Sequence, residues 1–236
     1  MAEIDAAGRS TRELNSAIRR LIAESSKEIT VRNPGARHNL AVAILDEVHI
    51  LVGGSVGYYC GGLIDGASIE IEGSAGWGVA ESMLSGTVRV HGNAGSGAAA
   101  AIRGGTVVIH GDAAARLGVS MKGGTVIVAG NCGYMAGFMA QKGTLIVCGD
   151  AGEAFADSMY ATTCYVGGKI ANLGTDAVLA PLDSSEAEQL EQTLTCYLPP
   201  SLRGAKPAAA DFKKVVAGRK LWNFDKRDWR IWQEAL

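Results

Sequence analysis

Between about Asp46 and Gly168, apolar residues come in pairs with one residue between them, and the pairs return every 19 residues. Successive segments read Ile69-Glu70-Ile71-Glu72, Val88-Arg89-Val90-His91, Val107-Val108-Ile109-His110, Val126-Ile127-Val128-Ala129 and Leu145-Ile146-Val147-Cys148. The first and third positions are always apolar and mostly β-branched, while the second and fourth vary. Each segment therefore predicts a strand with one buried face. Two inward columns follow: Val31, Ile50, Ile69, Val88, Val107, Val126, Leu145 and Cys164, and Val52, Ile71, Val90, Ile109, Val128, Val147 and Val166. A second apolar set returns at the same period: Ile64, Met83, Ile102, Met121, Ala140 and Met159, with Val79, Ala98, Leu117, Ala136 and Phe155. A short fixed period is the mark of a solenoid, in which each coil packs only on its neighbours. Two apolar walls closing on one interior predict an all-β solenoid, a right-handed parallel β-helix with 19-residue coils. At ~4.8 Å per coil the rod is roughly 35 Å long.

Glycines punctuate the coils. Gly54, Gly73, Gly92, Gly111, Gly130, Gly149 and Gly168 are each 19 residues apart. A second set follows at Gly57, Gly76, Gly95, Gly133 and Gly152, and a third precedes the strand at Gly86, Gly105, Gly124 and Gly143. The expectation is that these corners hold left-handed backbone, which glycine adopts cheaply. Ala114 and Ala67 are the departures.

Outside the repeat the pattern changes. Residues 1–9 carry no signal and are expected to be loose. Ser10 and Glu13 have the spacing of a capping box, and Leu14, Ile18, Leu21 and Ile22 share one helical face behind it. This predicts a capping helix over 11–24, lying across an exposed first coil. Residues 28–46 read as a degenerate first coil, with Gly35 in the 19-residue register. The chain thus divides into a cap (1–27), the β-helix (28–176) and a helical or irregular extension (177–236). In the extension, Ser185 and Glu188 predict a helix through about Leu194, and Pro199-Pro200 a turn. Asp211 to Ala217 reads as a short helix ended by Gly218. The last stretch holds Trp222, Trp229 and Trp232, aromatic residues that suit a fold-back or a partner contact.

Composition narrows the classes. A net charge of −2 gives no electrostatic case for nucleic acid or an anionic membrane. The five cysteines are odd in number and include no C-x-x-C pair, so they read as free thiols. With no apolar run of membrane-span length and no signal peptide, the expected location is the cytoplasm.

Candidate chemistry lies on the outward columns. Glu72, His91 and His110 share one column on consecutive coils, where a metal or acid–base site could form. The plainer reading is a solvated ladder in which Glu72 steadies His91, since the column ends in Ala129 and Cys148. The acidic residues Asp112, Asp150, Glu153 and Asp157 read as belonging to different columns and faces, and the long groove-forming loops of carbohydrate-active β-helices are missing around them. A 19-residue period also argues against six-residue acyltransferase repeats. Cys132, at a corner, is the thiol expected to be most exposed, and it has no histidine in its column. No catalytic, cofactor-binding or metal-ligating residue is therefore assigned. The other outward column, Glu70, Arg89, Val108, Ile127, Ile146 and Tyr165, ends in an apolar ridge. Such a patch is normally covered by the chain's own tail or by another subunit, which makes Val108, Ile127, Ile146 and Tyr165 interface candidates.

The corner motif G-x-x-G-x-G stands as Gly73-Ser74-Ala75-Gly76-Trp77-Gly78 and Gly92-Asn93-Ala94-Gly95-Ser96-Gly97. Further motif segments are Val56-Gly57-Tyr58-Tyr59-Cys60-Gly61-Gly62, Val79-Ala80-Glu81-Ser82-Met83 and Val147-Cys148-Gly149-Asp150-Ala151-Gly152. Over about Ile29 to Gly174 these resemble the GXGXG β-helix family, named for the C-terminal domain of the glutamate synthase large chain. The similarity is sharpest to the glutamate-synthase-like subunits of N-methylglutamate synthases. The resemblance implies a non-catalytic structural subunit of an oxidoreductase complex. It would hold an amidotransferase-like subunit and an FMN-binding glutamate-synthase-like subunit, with FMN and an iron–sulfur cluster on those partners and no cofactor in this chain. The β-helix subunits of formylmethanofuran dehydrogenases and of formyltransferase/hydrolase complexes share the same fold and give an alternative. A self-contained enzyme using the Glu/His column is a third.

Overall fold

The computed structural model describes residues 2–203 and 207–219. Its strands are β1 (Ala2–Asp5), β2 (Glu28–Arg32), β3 (His49–Gly53), β4 (Ser68–Ile71), β5 (Thr87–Val90), β6 (Thr106–Ile109), β7 (Lys122–Val128), β8 (Lys142–Val147), β9 (Ala161–Val166), β10 (Ala177–Ala180) and β11 (Lys213–Ala217). Its helices are α1 (Thr11–Ala23), α2 (Ser184–Tyr197) and the single turn α3 (Pro200–Arg203). The strands form one sheet, in the order β1 through β9, then β11 and β10. β1 to β9 are parallel, and β11 runs antiparallel to both of its neighbours. From β3 onward the register repeats at the predicted step: Ile50 faces Ile69, which faces Val88, and so on to Leu145 and Cys164. Both inward columns are buried, as is the predicted far wall from Ile64 to Met159 and from Val79 to Phe155. This is the β-helix that the apolar periodicity requires.

The wall opposite the sheet is built differently from a strand. Each coil there holds three left-handed residues, most of them not glycine: Tyr59 and Leu63 flank Gly61, and Ala80 and Ser82 follow Gly78. A left-handed L-residue costs ~1–2 kcal/mol, and hydrogen bonding between coils offsets it. Tyr59 N–H donates to Trp77 O on the next coil (2.7 Å), Gly61 N–H to Leu40 O on the previous one (3.0 Å), and Leu63 N–H to Glu81 O on the next (2.9 Å). The alternating direction ties every coil to both neighbours.

The main glycine column therefore has another cause than the one expected. Gly73, Gly92, Gly111, Gly130 and Gly149 do not have left-handed backbone. They sit where consecutive coils touch: a Cβ on Gly92 would strike the Gly73 backbone and the Ser74 side chain. Gly76, Gly95, Gly133 and Gly152 are excluded from substitution by the same close approach. Left-handed backbone does hold for the third set, as at Gly86, where φ is +97°.

Beside that column runs a polar ladder that the apolar periodicity does not reveal. The side-chain oxygens of Ser55, Ser74, Asn93, Asp112, Asn131 and Asp150 each accept the backbone N–H found 19 residues later, at 2.7–3.1 Å. Asp112 and Asp150 thus share a column and cap backbone, which accounts for acidic residues at the corners.

The ends depart most from expectation. Residues 2–5 are not loose but form β1, which pairs with β2. α1 begins as predicted, with the Ser10–Glu13 capping box, and buries Leu14 and Ile18. Its polar side chains bind the loop beneath: Asn15 bonds Asn39 O and Ala41 N–H, and Arg19 bonds Val42 O. The first coil is longer than 19 residues. Ile29 faces Ile50 and Val31 faces Val52, a step of 21, so Val31 belongs to the second column and Gly35 is out of register. Beyond the solenoid, α2 starts slightly earlier than the sequence predicts, capped by Asp183 and Glu186, and continues to Tyr197. Asp211–Ala217 is no helix: a 3₁₀ turn at Ala209–Asp211 leads into β11. The unpaired edge of β9 recruits Lys213-Lys214-Val215, and this pairing overrides local helical propensity. Among the described residues no helix is long and apolar enough to cross a membrane.

Candidate functional site

The outward apolar ridge organises the site. Val108 and Ile127 are 0% exposed and Ile146 is 1% exposed. Their cover is Leu190 and Leu194 of α2, with Leu198, Ala209 and Phe212, and Tyr165 packs partly against the same cluster. Lys214 of β11 pins the start of α2 through an ion pair with Glu186. Val108, Ile127 and Ile146 are therefore covered from within the chain, so they are not the subunit contacts that the ridge suggested. The other interface candidates, Trp222, Trp229 and Trp232, lie outside the described residues.

Where the ridge gives way to polar residues, α2 and the sheet diverge, leaving a groove of about 960 Å³. Its floor carries His49, Glu70, Arg89, His91 and His110 from β3 to β6, and its roof is Cys196 to Leu202. Two hydrogen bonds hold the roof: Arg89 donates to the Tyr197 carbonyl (3.1 Å), and Thr106 Oγ1 donates to Tyr197 Oη (3.3 Å). The sequence column is only partly assembled. Glu72 is exposed at the end of β4 and leans back over Gly53, whereas Glu70, from the neighbouring column, bonds His91 Nε2 at 2.6 Å. Glu70 also lies 3.6 Å from His49, so one carboxylate bridges two imidazoles. Glu70 rather than Glu72 steadies His91 because residue 70 lies inside β4, while residue 72, just past its end, leans away over Gly53.

His91 and His110 meet edge to face at 4.7 Å. His110 Nε2 is buried and has no hydrogen-bond partner among the described residues. Burial, and then the charges of His91 and Arg89, lower the His110 pKa to about 4, with Glu70 pulling weakly the other way. For Glu70 itself burial acts upward, but the His91 hydrogen bond and the charges of His91, His49 and Arg89 outweigh it and hold the carboxyl below its usual range. No group of three metal-ligating side chains converges among the described residues. Cys132 is buried, with its thiol pushed up to about 12 chiefly by burial, and Cys196 at the groove is the exposed thiol instead. Nothing in the sequence around Cys196 marked it, because its exposure depends on where α2 ends above the sheet.

A second surface feature lies at the corners. His38, Tyr58 and Trp77 stack on consecutive coils, with ring centroids 4.4 and 5.3 Å apart. Tyr58, Tyr59 and Trp77 are 42%, 45% and 56% exposed, and Leu63 and Leu84 are also exposed. These residues belong to the motif segments Val56–Gly62 and Gly73–Gly78 or flank them. Compared with models of protein families and with curated protein sequences, the chain gives no significant match.

Proposed function

We propose that the chain is a non-catalytic structural subunit of a glutamate-synthase-like complex, most closely an N-methylglutamate synthase. Such a complex makes N-methylglutamate and ammonia from methylamine and glutamate, and belongs in the cytoplasm. The subunit would position an amidotransferase-like chain and an FMN-bearing chain. The observation that carries this reading is the G-x-x-G-x-G corner motif, repeated on a solenoid whose coils touch backbone to backbone at the glycine columns. A second feature supports it: the motif corners bear the exposed Tyr58, Tyr59 and Trp77, aromatic residues of the kind enriched at interface cores.

The test is purification of the intact assembly at natural abundance, followed by native mass spectrometry. Co-purification with a flavin-bearing chain and an amidotransferase-like chain is expected, and Trp77→Ala with Tyr58→Ala should release them while leaving the β-sheet circular dichroism intact. Recovery with an amidohydrolase and a formyltransferase would instead favour a formylmethanofuran-type complex. Full synthase activity from this chain alone would end the scaffold reading. The Glu70–His91 pair in the groove favours a second reading, a self-contained acid–base enzyme. Its test is His91→Ala, which would abolish such an activity and leave a scaffold's complex fully active.

A further inference from the structure

Two groups on the groove floor keep hydrogen-bonding capacity that the described residues do not use. Arg89 keeps a permanent positive charge, yet among the described residues it makes no ion pair and donates only to the Tyr197 carbonyl. His110, on the next coil, has a buried Nε2 with no partner among the described residues. A buried polar atom left unsatisfied costs ~1–3 kcal/mol, and most buried polar atoms of native structures have a partner. Glu70 is turned toward the other two histidines: its Oε1 bonds His91, and its Oε2 lies 3.6 Å from His49. At His110 the positive charge of Arg89 outweighs the negative charge of Glu70. The opposite wall, at Leu198 and Pro199, is apolar and strengthens any charge-assisted hydrogen bond made beside it.

We propose that this end of the groove binds a small oxyanion, the carboxylate or phosphate group of a small molecule, between the Arg89 guanidinium and His110 Nε2–H. A guanidinium and an imidazole on adjacent coils offer donors to two oxygens of one such group. The Glu70–His91 pair stands beside it as a positioning element, turning the His91 ring and with it the edge-to-face neighbour His110. Because Nε2 is shut off from water, the anion enters as the Pro199–Leu202 roof eases outward. The inference needs only this chain and does not rest on the scaffold reading.

The test is long-range ¹H–¹⁵N NMR of the histidine rings in the full-length ¹⁵N-labelled chain, titrated separately with inorganic phosphate and with acetate. The expected result is a saturable shift of the His110 ring, with His38 at the far corner unmoved. Saturation by phosphate alone identifies a phosphorylated ligand, by acetate alone a carboxylic acid, and either supports the site. Arg89→Gln should weaken binding about tenfold, the loss of one charge-assisted contact. Should that variant unfold through loss of the Tyr197 contact, Arg89→Lys keeps the charge and should bind severalfold more weakly. Shifts that grow linearly without saturation, or that move His38 equally, overturn the proposal. So does unchanged affinity in a folded Arg89→Gln protein.

Discussion

Two glycines of the repeat illustrate how unequal superficially similar positions are. Gly86 combines a φ of +97° with a site where a Cβ would collide with the Ala67 carbonyl. Gly97 has a φ of +70° and nothing within 4 Å of the place a Cβ would take. Gly86→Ala should therefore cost about 3 kcal/mol or more, and Gly97→Ala about 1 kcal/mol, both read from urea-unfolding midpoints. Equal costs would mean that the coil spacing can relax around an added methyl group. His110 makes the residue-scale prediction about pH. Its folded pKa, about 4, lies below the 6.5 of an unperturbed histidine. In that interval the unfolded chain binds a proton that the folded chain refuses, so stability falls as pH drops from 6.5 toward 4. His110→Gln should flatten the slope of unfolding free energy against pH in that window. The slope that remains should come from carboxylates such as Glu70, whose folded pKa is also depressed.

At the scale of elements, the sheet has two apolar faces, and each has its own cover. Val107 points into the solenoid and Ile127 points out beneath α2, yet both are 0% exposed. A carboxylate at either place loses its hydration without gaining a partner, but the consequences differ. Val107→Asp should unfold the rod. Ile127→Asp should free α2 while the coils stay stacked, giving early proteolytic cleavage between residues 177 and 203 and a retained β-sheet spectrum. Loss of the sheet in both variants would mean that α2 is needed for the solenoid to fold. Periodicity made the inward face legible, since alternation with β-branched residues admits few alternatives. The element that covers the other face was legible only as a helix, because α2 has few buried residues and its partner strands lie far away in sequence.

At the scale of the whole molecule, a solenoid has two ends and therefore two edges to protect. Here β1 and α1 close one end, and β11 with β10 closes the other by turning antiparallel. A chain ending at residue 174 would lose α2, β10 and β11 together, exposing the β9 edge and the Val108–Ile127–Ile146 ridge. It should self-associate at concentrations where the full chain does not, as measured by size-exclusion chromatography with light scattering. A monodisperse truncated chain would show that neither edge nor ridge is sticky enough to require its cover.

Periodicity along the chain suffices for the solenoid, its 19-residue step and the inward columns from β3 onward, and local spacing suffices for the capping box of α1. The capping box needs only residues three apart, whereas the periodic features depend on contacts between a residue and its equivalent one coil away, so the same pattern is written repeatedly along the chain. The sequence also named His91 and His110 as neighbours, for the same reason. Only the tertiary structure decided the rest: the longer first coil, β1, the strand in place of a helix at Lys213–Ala217, and the exchange of Glu72 for Glu70. Those features depend on where an edge lies open, or on which way a side chain leans at a strand end. The groove belongs to this second group, because its floor and roof lie about a hundred residues apart and meet only when α2 settles on the ridge.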